Sequence, residues 1–438
     1  MTAQPAQNAA SPHPASLPYP QPPIPMLLNG HLFGKYFLTC RTEPAAHRFA
    51  RASGANRYAI MRGMLEKDAN PPLGDGGDAT ARELLAKAME RPRALSTREL
   101  ATLLRMPDPK PLFEAARSLR RSVVGGGVAL RGLVEISNIC EKNCYYCGIR
   151  RDNRNPKRYS MDAGEILAAA GWAHEAGYGS IVIQGGERRG EAWTGFIEGI
   201  LREIHTAFGD ELGVTISLGE QTEETYARWL EAGAHRYLLR IETSNQSLYA
   251  KLHPGDHSWE KRLNCLRTLK RLGYQTGSGV MCALPGQTIE DLAEDIAFFA
   301  AEDLDMIGMG PYIPHAETPM AGWSGAGELG AARRLDLGLR MIAATRLHLH
   351  DVNIAAATAL QALAPDGRER GVLAGANVIM PNVTPRRYRA EYDLYEGKPC
   401  LGEEAAQCRG CLERRLAGIG EKILWNRRND PLHARCSR

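Results

Sequence analysis

Met161-Asp-Ala-Gly-Glu-Ile-Leu-Ala-Ala-Ala-Gly-Trp-Ala-His-Glu-Ala-Gly-Tyr-Gly-Ser-Ile-Val-Ile-Gln-Gly-Gly-Glu187 holds a helix, a turn and a strand in one stretch. The helical pattern begins near Met161 and Asp162 and runs through Ile166, Leu167 and Ala170. Gly177 then takes the position just past the helix end, where glycine is favoured. Ser180-Ile-Val-Ile-Gln184 is a short apolar run of the buried-strand type. It stops at Gly185-Gly186-Glu187.

The same unit repeats on both sides. Upstream, Leu133-Val-Glu-Ile-Ser137 is an apolar run followed by a loop. Downstream, similar runs stand at 213–218, 237–241, 276–284, 306–310, 353–357 and 377–380. Helical stretches separate them at 192–207, from Thr222 with an acidic first turn at Glu224, and at 259–272, 289–301 and 329–347. Alternating strands and helices imply a parallel sheet. Eight strands over about 250 residues predict an α/β fold closed into a (β/α)8 TIM-type barrel. An open doubly wound sheet is the alternative, but no Gly-x-Gly-x-x-Gly fingerprint follows a first strand. Gln184, Glu187, Glu220, Arg240, Glu242, His315, Thr358 and Asn382 all stand at or just past the C-terminal end of a predicted strand. That rim builds the active site of a barrel. The ordinary polarity of strand ends explains one or two such residues better than it explains one at nearly every strand.

The chain has 438 residues and a net charge of +4, too weak to argue for nucleic acid or a membrane surface. No run of about 18 apolar residues is present, so no transmembrane helix is expected. Residues 1–34 contain no Asp, Glu, Lys or Arg, and eight prolines lie between Pro5 and Pro25. Such a segment favours extended polyproline II. Residues 35–62 are Arg-rich and nearly free of acid. This N-terminus reads as a disordered tail, a misassigned start (Met61 or Met64 being later ones) or an organelle transit peptide. A cytoplasmic location is expected, with organelle targeting left open. The expected division is a Pro-rich and basic tail with linker at 1–80, a helical segment at 81–130, the barrel at 131–385 and a cysteine-containing extension at 386–438. The basic stretch 427–438 reads as a frayed end.

Ten cysteines are present, and six fall into two tight clusters. In a long chain that pattern points to a reducing compartment and to metal. The first cluster is Ser137-Asn-Ile-Cys140-Glu-Lys-Asn-Cys144-Tyr-Tyr-Cys147-Gly148, in the loop after the first predicted strand. Iron–sulfur clusters are normally held by four cysteines. Three leave one iron open to an outside ligand, as catalytic zinc sites keep a vacancy. A zinc site would want a fourth local Cys or His, and a disulfide would leave one cysteine over.

With Tyr146 between its cysteines and Gly185-Gly186-Glu187 after the second strand, this motif resembles the radical S-adenosylmethionine (SAM) superfamily. The resemblance implies a catalytic [4Fe–4S] cluster on Cys140, Cys144 and Cys147, with SAM chelated at the open iron. It implies SAM contacts at Tyr146 for the adenine, and at Gly185, Gly186 and Glu187 for the methionyl amino group. Glu220 and Arg240 would meet the SAM amino and carboxylate groups, with Glu242 beside them. A structural Glu220–Arg240 ion pair is the plain alternative.

Longer stretches are similar to the HydE type of [FeFe]-hydrogenase maturase within that superfamily. Among them are Leu130-Arg-Gly-Leu-Val-Glu-Ile-Ser-Asn138, Met309-Gly-Pro-Tyr-Ile-Pro-His-Ala-Glu-Thr-Pro319, Gly375-Ala-Asn-Val-Ile-Met-Pro-Asn382 and Tyr388-Arg-Ala-Glu-Tyr-Asp-Leu-Tyr-Glu-Gly-Lys-Pro-Cys400. This similarity covers roughly residues 95–425. It implies an accessory [2Fe–2S] or [4Fe–4S] cluster on Cys400, Cys408 and Cys411, dispensable for the central reaction. Zinc is its rival, because Cys-x2-Cys is also a zinc half-site. Gln184, Thr358, Met380 and Tyr395, with Tyr392 nearby, would line the substrate cavity, although Met380 alone reads as an ordinary core methionine. The implied substrate is a small iron–cysteine complex bearing CO and cyanide. A low-potential flavodoxin or ferredoxin would donate electrons, and other hydrogenase maturases would be partners. Arg188 and Arg189 depart from the acidic residue the family often shows after its Gly-x-Glu. Two other readings stay open: a radical SAM mutase or lyase of the methylornithine synthase type, acting on a small amino acid or thioether, and a non-catalytic metal-binding barrel.

Overall fold

The computed structural model describes residues 77–325 and 327–436. The proline-rich and Arg-rich N-terminal stretches discussed above lie outside them. Three helices, Gly77–Glu90, Thr97–Leu104 and Lys110–Val123, precede the first strand. The strands are β1 (Gly127–Leu130), β2 (Gly132–Ser137), β3 (Ser180–Gly185), β4 (Gly213–Ser217), β5 (Arg236–Leu238), β6 (Gln275–Ser278), β7 (Met281–Cys282), β8 (Met306–Ile307), β9 (Gly310–Pro311), β10 (Asn353–Ile354), β11 (Val378–Ile379) and β12 (Lys422–Ile423).

Seven of them form one parallel sheet in the order β10-β8-β6-β5-β4-β3-β2. Strand β11 closes it into a ring. On one side Ala355 bridges to Val378. On the other, β1 pairs with β11 (Ala129 opposite Val378, Leu130 opposite Ile379). Past Arg131 the same chain, now β2, meets the same partner again, with Leu133 opposite Asn382. Leu133 N–H donates to Pro381 O and Val383 N–H to Leu133 O, each at 2.8 Å. All eight expected strands are therefore present in a parallel barrel, and the open sheet is excluded.

The sequence signals explain the elements. Asp162 caps the helix Ala163–Glu175 by accepting from Glu165 N–H, and Glu165 returns the bond in a capping box. Gly177 follows in the left-handed region at φ 79°. Ile181, Val182 and Ile183 of β3 are fully buried, each contributing roughly 1.5–3 kcal/mol. Helices Trp259–Leu272 and Ile289–Ala301 fall on their expected bounds.

Three features differ from expectation. The run 276–284 breaks into β6 and β7, because the backbones of Gly279 and Gly308 meet there. A Cβ on Gly279 would stand 1.8 Å from Gly308 O. Residues 127–130 are strand rather than the end of the helical segment, for they complete the seam with β11. Residues 427–436 are ordered instead, ending in the helix Leu432–Cys436, and they bond across the barrel floor. There Leu424 N–H donates to Val128 O at 2.9 Å, and Trp425 stacks on Tyr178. Asn353 Nδ2 donates to Asn429 O at 2.8 Å, and Asp430 pairs with buried Arg236 at 2.6 Å. Among the described residues no helix is long and apolar enough to cross a membrane.

Candidate functional site

Strand β2 ends at Ser137, and the cysteine loop starts there. Asn138 is fully buried and clamps the loop base. Its Nδ2 donates to Lys157 O (3.0 Å) and Glu391 O (2.7 Å), and its Oδ1 accepts from Tyr159 N–H (2.8 Å). Arg158 then gathers the loop from within. Its guanidinium donates to the carbonyls of Asn138, Ile149, Arg150 and Asn153 at 2.6, 2.8, 2.6 and 2.7 Å. Farther along, Asn143 N–H donates to His257 Nε2 at 3.1 Å, and Tyr146 Oη lies 3.1 Å from His253 Nε2.

The three thiols are buried or half-buried and free. Burial pushes all three pKa values up, Cys144 to about 12. Thiolates there need a cation to hold them. Among the described residues, the set of three or more donor atoms lying within 4.8 Å of one another is Cys400, Glu403 and Cys408.

Strand β3 presses its end against this loop. Gly186 N–H donates to Ser137 O at 2.9 Å, and Glu141 N–H donates to Glu187 O at 2.8 Å. Glu187 N–H points at Cys140 Sγ, 3.3 Å away. A Cβ on Gly186 would lie 2.2 Å from Ile139 O and 2.8 Å from Cys140 Cβ, so only glycine fits. Gly185 is less constrained, its nearest neighbour being Leu218 Cδ2 at 3.2 Å.

Beyond the loop lies a lattice of buried charge. Glu220 meets Lys142 Nζ and Arg262 Nε, each at 2.9 Å. Burial alone would raise its pKa, but the Arg262 guanidinium and the Lys142 ammonium override this and hold it at about 2. Glu187 accepts from Glu220 N–H at 2.9 Å and lies 3.6 Å from Lys142. Arg189, the departure noted in the sequence, pairs with Glu187. Arg240 pairs instead with Glu242 at 3.0 Å and donates to Val280 O at 2.9 Å. The Glu220–Arg240 ion pair therefore does not form. Arg262 joins the two, since its Nη1 donates to the Arg240 carbonyl at 3.0 Å.

Inside the barrel is a cavity of about 170 Å³. Gln184, Thr358, Met380 and Tyr395 line it, as does Arg240. Tyr392 is buried behind them and accepts from Gln184 Nε2 at 3.2 Å. Sequence reasoning missed Glu135 and Lys398, which cross the same cavity as an ion pair of 2.7 Å. Cys400, Cys408 and Cys411 also line this cavity. Cys400 and Cys408 approach each other with Glu403, while Cys411 stands one turn farther along the helix Ala405–Gly418. The side chain of Cys436 lies outside the described residues. Cys265 and Cys282 are buried, as core residues.

The chain matches the Radical SAM superfamily over residues 134–299. It is 46% identical over 346 residues to the [FeFe] hydrogenase maturase subunit HydE of Thermotoga maritima, a match covering 78% of this chain and 95% of that protein. The chain belongs to the HydE family of radical SAM enzymes. Weaker similarity, 27% over 301 residues, links it to the 3-methylornithine synthase of Methanosarcina acetivorans, covering 68% of this chain and 82% of that one. Among solved structures, methylornithine synthase (PylB) superposes with a TM-score of 0.66 at 25% identity, covering 78% of this chain and 98% of that chain. The hydrogenase maturase HydG superposes at 0.60 with 18% identity, covering 79% and 76%, a likeness of fold. HydE-family membership implies a [4Fe–4S] cluster and SAM. The donors fit them: three free thiols, an N–H aimed at one sulfur, and a glycine where a side chain would block the loop.

Proposed function

We propose that this HydE-family enzyme serves [FeFe]-hydrogenase maturation, cleaving SAM reductively beside Cys140, Cys144 and Cys147 and acting on a small iron–cysteine complex bearing CO and cyanide. When bound, the cluster supplies one low-potential electron and SAM the carbon radical that results. The chain's own residues do the rest. Arg158 and Asn138 fix the loop. The Glu187 N–H stabilises negative charge on Cys140 Sγ. Glu220, kept ionised by Lys142 and Arg262, accepts from the SAM ammonium together with Glu187, in a pocket edged by Gly185 and Gly186. Arg240, oriented by Glu242, takes the SAM carboxylate, and Tyr146, fixed by His253, packs against the adenine. Gln184, Thr358, Met380 and Tyr395 confine the substrate, with Tyr392 holding Gln184 in place.

One observation carries this reading: the accessory cysteines line the same cavity as the expected substrate residues, and that trio marks the HydE type. We take Cys400, Cys408 and Cys411 to hold a [2Fe–2S] or [4Fe–4S] cluster. Free thiols in both clusters suit the cytoplasm. A flavodoxin or ferredoxin donates the electron, and other maturases supply and receive the complex. The fold likeness to methylornithine synthase favours a second reading, a mutase or lyase acting on a small amino acid.

The test is anaerobic reconstitution followed by dithionite, SAM and the iron–cysteine complex. 5′-Deoxyadenosine should form, the complex should stimulate it, and Cys144→Ala should abolish it. Stimulation by a small amino acid, with none by the complex, would replace the first reading with the second.

A further inference from the structure

Arg150-Arg-Asp-Asn-Arg-Asn-Pro-Lys-Arg158 starts three residues past Cys147 and holds five basic side chains and one acid. Its net charge of +4 equals that of the whole chain. The segment lies over the cysteine loop. Arg158 binds the carbonyls of Asn138 and Ile149, and Arg151 N–H donates to Lys142 O at 2.8 Å. Arg150 and Asp152 are bound to Asn143 of the loop at 2.5 and 2.6 Å. Arg151, Arg154 and Lys157 are exposed. Arg151 meets Asp152 at 3.1 Å, and both side chains are about half exposed. Among the described residues the Arg154 guanidinium and the Lys157 ammonium have no ion-pair partner. Ile139, between Asn138 and Cys140, is 37% exposed. We propose that this face is the docking surface for the electron donor, a small acidic one-electron carrier protein. The inference rests on the reductive SAM chemistry proposed above and adds where the electron enters.

A protein donor cannot enter a cavity of about 170 Å³, so it must meet the cluster from outside the barrel. Electron transfer weakens steeply with distance, so the carrier has to cover the cysteine loop itself. Residues 150–158 and Ile139 are the exposed part of that covering. Transient electron-transfer contacts are small, and charge sets their rate of encounter. Three exposed cations near one exposed apolar side chain supply both needs. The cations attract an acidic partner at long range, and Ile139 gives an apolar contact point next to Cys140. Arg188 continues the basic edge. Its Nη1 donates to Ser160 Oγ at 3.2 Å, and its guanidinium lies 4.1 Å over the Trp193 ring. The acids at this edge are engaged. Glu391 accepts from Lys157 N–H, Glu141 from Arg189 N–H and Glu317 from Asn153 Nδ2, each at 2.9 Å. In the step itself one electron leaves the carrier and enters the cluster, with no bond made or broken. The plainer alternative is a solvated basic loop without a partner.

The test compares the full reconstituted chain with its R151E/R154E/K157E variant. None of the three side chains is assigned to the cluster, SAM or substrate. The probe is a flavodoxin of net negative charge. Stopped-flow reduction of the cluster by the reduced flavodoxin should slow by about tenfold or more at low salt. The parent's rate should fall as salt is added, and the variant's should not. Calorimetric titration of the metal-free chains with oxidised flavodoxin should show weaker binding by the variant. Photoreduced 5-deazariboflavin, small and uncharged, should reduce both proteins and support 5′-deoxyadenosine formation equally well. R151Q/R154Q/K157Q should fall between parent and reversed variant, which guards against a folding defect in the latter. Equal flavodoxin rates, salt dependence and binding in parent and reversed variant would overturn the proposal. If the parent forms no 5′-deoxyadenosine with the deazaflavin, the reductive-cleavage reading falls first and takes this inference with it.

Discussion

Arg158→Ala is expected to strip the cysteine loop of its cluster while leaving the barrel folded. The guanidinium makes four hydrogen bonds of 2.6–2.8 Å to loop carbonyls on both sides of the cysteines. Hydrogen bonds to a charged group contribute about 1.5–3 kcal/mol each. The four share one partly exposed side chain and do not add, so a loss of about 3–5 kcal/mol is reasonable for the loop. At about 1.4 kcal/mol per tenfold, the ordered loop becomes roughly 10²-fold to several thousand-fold less favoured. A domain with about 5–15 kcal/mol of stability survives that. Iron and sulfide per chain after anaerobic reconstitution, with thermal unfolding of the metal-free protein as a control, read the effect. Arg158→Lys should recover only part of it, since an ammonium has three donors on one atom and cannot span four carbonyls. Full cluster content in Arg158→Ala, with SAM cleavage within about twofold of the parent, would refute this account of the loop.

Gly186→Ala should also lose the cluster, because its Cβ would lie 2.2 Å from backbone oxygen. Gly185→Ala, whose nearest neighbour is a leucine methyl at 3.2 Å, should keep most of its iron, and equal losses in the two variants would contradict this. Arg262→Lys keeps charge near Glu220 but cannot also reach the Arg240 carbonyl. KM for SAM should rise about tenfold, as one bridging bond of about 1.4 kcal/mol predicts, with kcat changed less; a kcat effect alone would argue against it. Asp295 is buried, and burial raises its pKa to about 7 against two hydrogen bonds from Ser244. A raised carboxyl contributes stability below its unfolded value, and that contribution is lost as pH climbs through about 7. Asp295→Asn should therefore match the parent near pH 4 and exceed it at pH 8, on the order of a few kcal/mol, in denaturant unfolding of the metal-free chain. No gain at pH 8 would show that the carboxylate has compensation elsewhere.

The barrel was legible because each strand carries its own apolar run and its own stop. The short closing strand was legible too, through Asn377-Val-Ile-Met380. What escaped were elements whose reason lies far away in the chain. Gly127–Leu130 is strand only because β11, about 250 residues later, accepts it. The tail looked frayed because its partners, Arg236 and Asn353, belong to other strands. At the site, the cysteines and rim residues announced themselves by spacing and by position at strand ends. Arg158 did not, because it acts on backbone carbonyls that carry no sequence pattern. Lys142 stood inside the motif, and Arg262 is a charge on the buried face that its helix shares with Leu263, Leu266 and Leu269. Those were readable signals, but the partner Glu220 could be assigned only in three dimensions.

The covered floor has a consequence for traffic. Leu424 to Asp430 seal the end of the barrel opposite the cysteine loop. On the proposed function, SAM, substrate and both products would then share one doorway. The nucleoside left after each cleavage would have to leave by that same mouth before the next substrate entered, so its release is expected to limit turnover. An enzyme that removes this nucleoside from solution should quicken the cycle without touching the protein.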